Sequence, residues 1–154
     1  MIFTYLINMK NNLFIASDHA GYELKKKIID INLEKEFNFI AQVVDLGTNN
    51  LDSVDYPDYA NNLVKKMNSV TDSKGILICG SGIGMSIAAN RHNNIRAGLA
   101  FNPEIAKLIR AHNNANIMVL PGRYMSLKEA LKCIKNFFLT NFDGGRHINR
   151  VKKL

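Results

Sequence analysis

Cys79 closes the apolar run Gly75-Ile76-Leu77-Ile78 and is followed at once by Gly80-Ser81-Gly82-Ile83-Gly84-Met85. This pattern predicts a buried strand that ends in a thiol, then a glycine-rich turn that opens a helix. A helix start has backbone N–H groups without intrahelical partners and the positive end of the helix dipole. A thiolate is favoured beside it, and an adjacent oxyanion can be hydrogen-bonded there without a metal. A base next to an anion hole suits abstraction of a proton from a carbon beside a carbonyl. Gly80, Gly82 and Gly84 let the backbone approach a ligand closely, and Ser81 adds a hydroxyl able to relay a proton between neighbouring oxygens. Taken alone, a cysteine after a buried strand suits a small core hydrophobe; the glycines argue for chemistry.

Spacing removes the rival readings of this turn. A dinucleotide fingerprint wants a third glycine after two intervening residues, but Gly82 is followed by Ile83 and Gly84, and no acidic residue closes the next strand near Phe101. A P-loop needs lysine, and a cysteine-phosphatase loop arginine, where Met85 stands. The histidines are scattered and no Cys or His pair has ligand spacing, so no metal is expected.

The elements that must position these groups alternate regularly. Strands are predicted at 13–16, 42–46, 75–79, 96–100 and 117–120, and helices at 22–33, 57–67, 84–91, 103–112 and 126–138. A repeated βα order predicts an α/β fold: a parallel sheet with helices on both faces and ligands outside the carboxyl ends of its strands. Asp18 and His19, Gly47 and Thr48, Cys79 to Gly84, Phe101 and Asn102, and Pro121, Gly122 and Arg123 would then converge on one edge. His19 has a second reading as the cap of the helix beginning near Gly21. His112, in Arg110-Ala111-His112-Asn113-Asn114, has one as a cation answering a helix C-terminus. His92 reads as solvated, and Cys133, beside Ile134, as packing.

At 154 residues, 47% hydrophobic and 21% charged, the chain fits a single domain with a substantial core, expected over 10–154 behind a short extension at 1–9. Met9 could equally be the start. No apolar run approaches the roughly 20 residues of a membrane span, the opening residues lack a leader pattern, and two cysteines do not make a disulfide framework. The expected location is the cytoplasm. The net charge of +7 is uneven. Lys25, Lys26 and Lys27 read as the solvated face of a helix whose apolar positions are Leu24, Ile28 and Ile31. The tail Arg146-His147-Ile148-Asn149-Arg150-Val151-Lys152-Lys153 suits phosphate, and without interleaved aromatics it favours a small molecule over nucleic acid.

Five segments carry a resemblance. Ser17-Asp18-His19-Ala20-Gly21, Asp55-Tyr56-Pro57-Asp58-Tyr59-Ala60, Ile78-Cys79-Gly80-Ser81-Gly82-Ile83-Gly84, Arg110-Ala111-His112-Asn113 and Gly144-Gly145-Arg146-His147 occur in order between Lys10 and Arg150. Together they resemble ribose-5-phosphate isomerase of type B. The resemblance implies a Rossmann-like, doubly wound five-stranded parallel sheet in one domain. It also implies a cofactor-free aldose–ketose isomerase of the pentose phosphate pathway, acting as a homodimer or homotetramer with its site between subunits. Cys79 matches the base that moves a proton between C1 and C2, Ser81 a hydroxyl that shuttles the oxygen-bound proton, and Gly80, Gly82, Ile83 and Gly84 the enediolate hole. His112 matches the ring-opening histidine, with Asp18 assisting across the interface. His19, Arg146 and Arg150 match phosphate ligands, and Arg123, Asn113 and His147 complete the binding set. No nucleic acid, membrane or metal is implied. The alternatives are an isomerase of allose 6-phosphate or galactose 6-phosphate, and a phosphosugar-binding module without turnover. Cys79, His112 and the 144–150 segment on one chain favour ribose 5-phosphate over the galactose enzymes, whose site is divided between two different chains.

Overall fold

Five parallel strands form one sheet in the order β2-β1-β3-β5-β4. The structure is a computed structural model that describes residues 10–154; the extension expected at 1–9 lies outside the described residues. The strands are β1 (Asn11–Ser17), β2 (Ile40–Asp45), β3 (Ser73–Cys79), β4 (Ala97–Leu99) and β5 (Ile117–Pro121). The helices are α1 (Tyr22–Asp30), α2 (Leu33–Glu36), α3 (Tyr56–Met67), α4 (Ile83–Ala89), α5 (Pro103–Ala111), α6 (Leu127–Leu139) and α7 (Arg146–Val151).

Side chains alternate across each inner strand, so the sheet divides the core in two. Leu13 and Ile15 of β1, Ile76 and Ile78 of β3, and Met118 and Leu120 of β5 pack under α1, α5 and α6. Phe14 and Ala16, Leu77 and Cys79, and Ile117 and Val119 pack under α3 and α4. The expected architecture is therefore the observed one. Because β1 continues to β2 on one side while β3 lies on the other, the switch point falls between β1 and β3, whose ends carry Asp18 and Cys79.

Two short helices were not expected. The helix anticipated over 22–33 stops at Asp30, because Asn32 takes a left-handed conformation (φ 60°) and its side chain accepts from Lys35 N to start α2. The tail, read only as a basic cluster, forms α7, which buries none of its residues and so leaves no apolar stripe to detect.

Lys25 corrects the reading of the lysine run as a solvated face. It is 1% exposed and its ammonium pairs with Asp45 at the end of β2. It adjoins the Leu24 and Ile28 stripe on the flank of α1 that faces β2, while Lys26 and Lys27 are exposed. His92 also differs from its expected solvation, being half-buried with Nε2 2.8 Å from Asn61 Oδ1.

Gly21, between the Asp18-His19 corner and α1, fixes how closely that helix meets β3. A Cβ there would lie 2.3 Å from the Ile78 carbonyl oxygen, a backbone atom unable to move aside. Gly21→Ala should lower stability by about 3 kcal/mol, read as the urea midpoint at constant m.

A half-buried lysine and a buried cysteine set opposing pH trends. Burial, reinforced by Arg110, lowers Lys74 to about 8 from 10.5. The unfolded chain then binds more protons than the native one above pH 8, so stability rises with pH there. Burial, reinforced by Glu129, pushes Cys133 up to about 12 from 9.0. Above pH 9 the unfolded thiol ionises first and stability is lost. Denaturation midpoints should rise between pH 8 and 9, level off while the two trends offset each other, and fall above pH 10.5, where the unfolded lysine no longer holds its extra proton. Lys74→Met should remove the rise and Cys133→Ala should soften the fall, and midpoints insensitive to either substitution would refute the assignment.

Candidate active site

Cys79 ends β3 with 5% exposure, its side chain directed into the α3 and α4 layer. The chain then turns so that Gly82 N donates to Cys79 Sγ at 3.2 Å. Gly82 holds φ 80°, a conformation that favours glycine, and a Cβ there would also have to displace the end of the Leu99 side chain, 2.4 Å away. The first backbone bond of α4 runs from Ser86 to Gly82, which leaves the N–H groups of Ile83, Gly84 and Met85 ahead of the helical ladder. Ser81 is exposed, and its Oγ accepts from Ile83 N at 3.3 Å. A thiol, a hydroxyl and backbone donors thus occupy one turn, as the sequence predicts.

The neighbouring strand ends are laced to this turn. Gly122 N donates to Cys79 O at 2.8 Å and Arg123 N to Gly80 O at 3.1 Å. The Arg123 guanidinium lies beside Gly80, with Nη1 3.4 Å from where a Cβ of that glycine would stand. On the other side, Asp18 N donates to Ile78 O at 3.2 Å, and the buried Asp18 carboxylate accepts from Gly21 N at 2.9 Å. His19 does not cap α1, whose N-cap is Gly21. Instead its Nδ1 accepts from Val54 N at 3.2 Å, which leaves the proton of the neutral ring on Nε2. His19 is therefore a hydrogen-bond donor through Nε2. Val54 escaped the sequence reading because a backbone N–H carries no residue signature.

The remaining expected residues form a second group. His112 caps the C-terminus of α5, and its ring stacks on that of His147 with centroids 4.4 Å apart and planes 9° from parallel. Arg110 braces the turn beneath, with Nη1 donating to Asn114 Oδ1 at 2.9 Å and Ala115 O at 2.6 Å. Asp143 N donates to Ala111 O at 2.9 Å, which anchors the segment leading to α7 with its Arg146, His147 and Arg150. Exposed Asn113 follows His112. Since α5 runs back from the carboxyl end of β4 to the amino end of β5, this group lies at the opposite end of the sheet from Cys79. One chain therefore does not assemble all the expected residues. A cavity of 440 Å³ near the start of β4 touches only Asn113 among them.

His112, Asp143 and His147 offer ligand atoms within 4.8 Å of one another. Their type suits a transition metal, but near-parallel rings direct their in-plane lone pairs alongside one another rather than to a common point. The charge around them also favours an anion. Partial desolvation, then repulsion from His112, Arg146 and Arg150, lowers the pKa of His147. The arrangement suits a phosphate held by Arg146 and Arg150 beside two imidazoles.

Comparison with known proteins accords with this geometry. The family model described as Ribose/Galactose Isomerase matches residues 13–154. The chain belongs to that family. As an isomerase of this family it shares 50% identity with the crystal structure of a ribose 5-phosphate isomerase from Thermotoga maritima, at a TM-score of 0.86 over 93% of this chain and 96% of that one. Ribose-5-phosphate isomerase B from Mycoplasma genitalium, solved with bound ribulose-5-phosphate, is 41% identical with a TM-score of 0.84 over 94% of each chain. Ribose-5-phosphate isomerase B of Escherichia coli is 35% identical over 137 residues, 89% of each chain. Among the described residues of the isomerase, no helix is long and apolar enough to cross a membrane.

Proposed function

We propose that the chain interconverts ribose 5-phosphate and ribulose 5-phosphate through an enediolate, with the Cys79 thiolate as base. The observation that carries this reading is the pairing of Cys79 Sγ with Gly82 N in a turn that also holds Ser81 Oγ and the leading N–H groups of α4. Starting from the open aldose, the thiolate takes the proton from C2, and the C2–H electrons form the C1–C2 double bond as charge moves onto O1. Backbone donors aimed at that oxygen stabilise it by a few kcal/mol each, about 3 by analogy with other oxyanion holes. Ser81 moves the O2 proton to O1, and the thiol returns its proton to C1. Asp18 supports ring opening, His19 donates Nε2–H to the substrate, and Arg123 flanks the loop.

Ring opening and the rest of the phosphate grip require a second copy. His112, Asn113, Arg146, His147 and Arg150 lie at the far end of their own sheet, so the reading places the partner subunit's His112 over Cys79. Ile83 and Ile87, one turn apart on α4, and Phe101 after β4 are 56%, 62% and 60% exposed beside the Cys79 loop. An apolar surface of this kind is what association covers. The similarity to the ribulose-5-phosphate-bound enzyme supports the five-carbon substrate.

The test is conversion of ribose 5-phosphate by the purified chain in EDTA, with allose 6-phosphate and galactose 6-phosphate in parallel. Turnover confined to ribose 5-phosphate supports the proposal. Preference for a six-carbon substrate replaces its substrate, and tight binding without turnover of any of the three leaves a phosphosugar-binding module.

A further inference from the structure

We propose that Lys25 is a positioning residue for this site, acting through Asp45 and the turn after β2 to hold His19 in one orientation. Lys25 is 1% exposed, whereas the Asp45 side chain it pairs with is 35% exposed. Asp45 Oδ1 also accepts from Gly47 N at 2.9 Å. The turn so held brackets β1 just before the functional pair Asp18-His19, with Ser17 N donating to Gly47 O at 2.7 Å and Thr48 N to Ser17 O at 2.8 Å. The same loop continues through a further turn, where Asp52 N meets Asn50 Oδ1, to Val54, whose N–H fixes the His19 ring. One buried ammonium therefore sits at the root of both segments that set His19: the one that carries it and the one that orients it.

Stability alone does not account for this lysine. Burying an ammonium is unfavourable, and well-packed apolar replacements of buried ion pairs are commonly neutral or stabilising. A methionine could take the same buried position on α1 with Leu24 and Ile28. Lys25 supplies what methionine lacks, a fixed point charge that holds Asp45, and through it Gly47, in one geometry.

The proposal uses the functional reading above only for what His19 binds, so its test has a readout independent of turnover. Lys25→Met should keep or raise the unfolding midpoint. In ¹⁵N spectra of the imidazoles, His19 should pass from a single Nε2–H tautomer to a mixture. With ribose 5-phosphate, kcat/KM should fall about tenfold, mostly through KM, because a displaced binding group weakens ground-state contacts. The double variant Lys25→Met/Asp45→Ala leaves no unpaired charge, so it reports even where the single variant folds poorly, and it should show the same His19 mixture. An unchanged His19 spectrum in either folded variant overturns the proposal. So does a lowered midpoint with kcat/KM per folded molecule intact, which would mark Lys25 as purely structural. Should the wild-type chain turn over none of the sugar phosphates, the functional reading fails, and the His19 spectra still decide whether Lys25 positions it.

Discussion

Replacing Cys79 with alanine or serine should reduce kcat/KM on ribose 5-phosphate by about 10³- to 10⁴-fold, the upper range for loss of a general base. Serine is the sharper test. It keeps a hydrogen-bonding atom near Gly82 N and changes the volume little, but an alcohol is protonated throughout the neutral range and takes a carbon-bound proton poorly. The fold should survive both changes. Cys79 contributes one small side chain to a layer formed by Leu63, Leu77, Met85 and Val119, so truncation should cost about 1 kcal/mol, the scale of losing a single buried methyl. Binding should survive as well, because the phosphate ligands proposed here do not touch the thiol. A five-carbon phosphosugar acid that cannot isomerise should bind the variants within a few-fold of wild type by calorimetry. Activity within tenfold of wild type in Cys79→Ser would show that Cys79 is a packing residue and that another group removes the proton.

Residues at strand ends were legible because their signal is local. The apolar run into Cys79 and the glycines after it specify a buried strand, a tight turn and a helix start within one short window, and the structure has them in that order. The repeated βα order predicted the sheet, but the two core layers came from the structure, where a residue's parity along β1, β3 or β5 decides which helices cover it. What escaped depends on non-local partners. Lys25 is the fourth residue of α1, and only the position of Asp45 on β2 explains its burial. Nothing around Val54 marks its N–H as the group that fixes a histidine 35 residues earlier. The tail read correctly as basic, but its helix has no buried face, and amphipathic periodicity is the means by which helices are found. The stack of His112 on His147 joins residues far apart in sequence and likewise has no local pattern.

Mixing two inactive variants, Cys79→Ala and His112→Ala, should restore about a quarter of wild-type activity once subunits exchange. The reason is topological. Cys79 leaves the carboxyl end of β3, while His112 caps α5 after that helix has returned along the sheet to the amino end of β5. With a rise of about 1.5 Å per residue, a helix the length of α5 separates its ends by more than 10 Å, so the thiol of one chain is not served by its own histidine. In a two-fold dimer the two ends can meet across the axis, and each site takes Cys79 from one chain and His112 from the other. Random reassortment makes about half of the dimers mixed. Each mixed dimer has one site with both residues intact and one with neither, which yields the quarter. The recovery should follow the appearance of mixed dimers in native mass spectrometry and should be absent when either variant is incubated alone. A site contained in a single chain predicts something different: every chain then carries one lesion, and no mixture regains activity. Mixed dimers without recovered turnover would therefore return His112 to the role its position at the end of α5 also permits, a residue answering the helix dipole, and would require the ring to be opened by a group on the Cys79 side, where Asp18 is the buried carboxylate already in place.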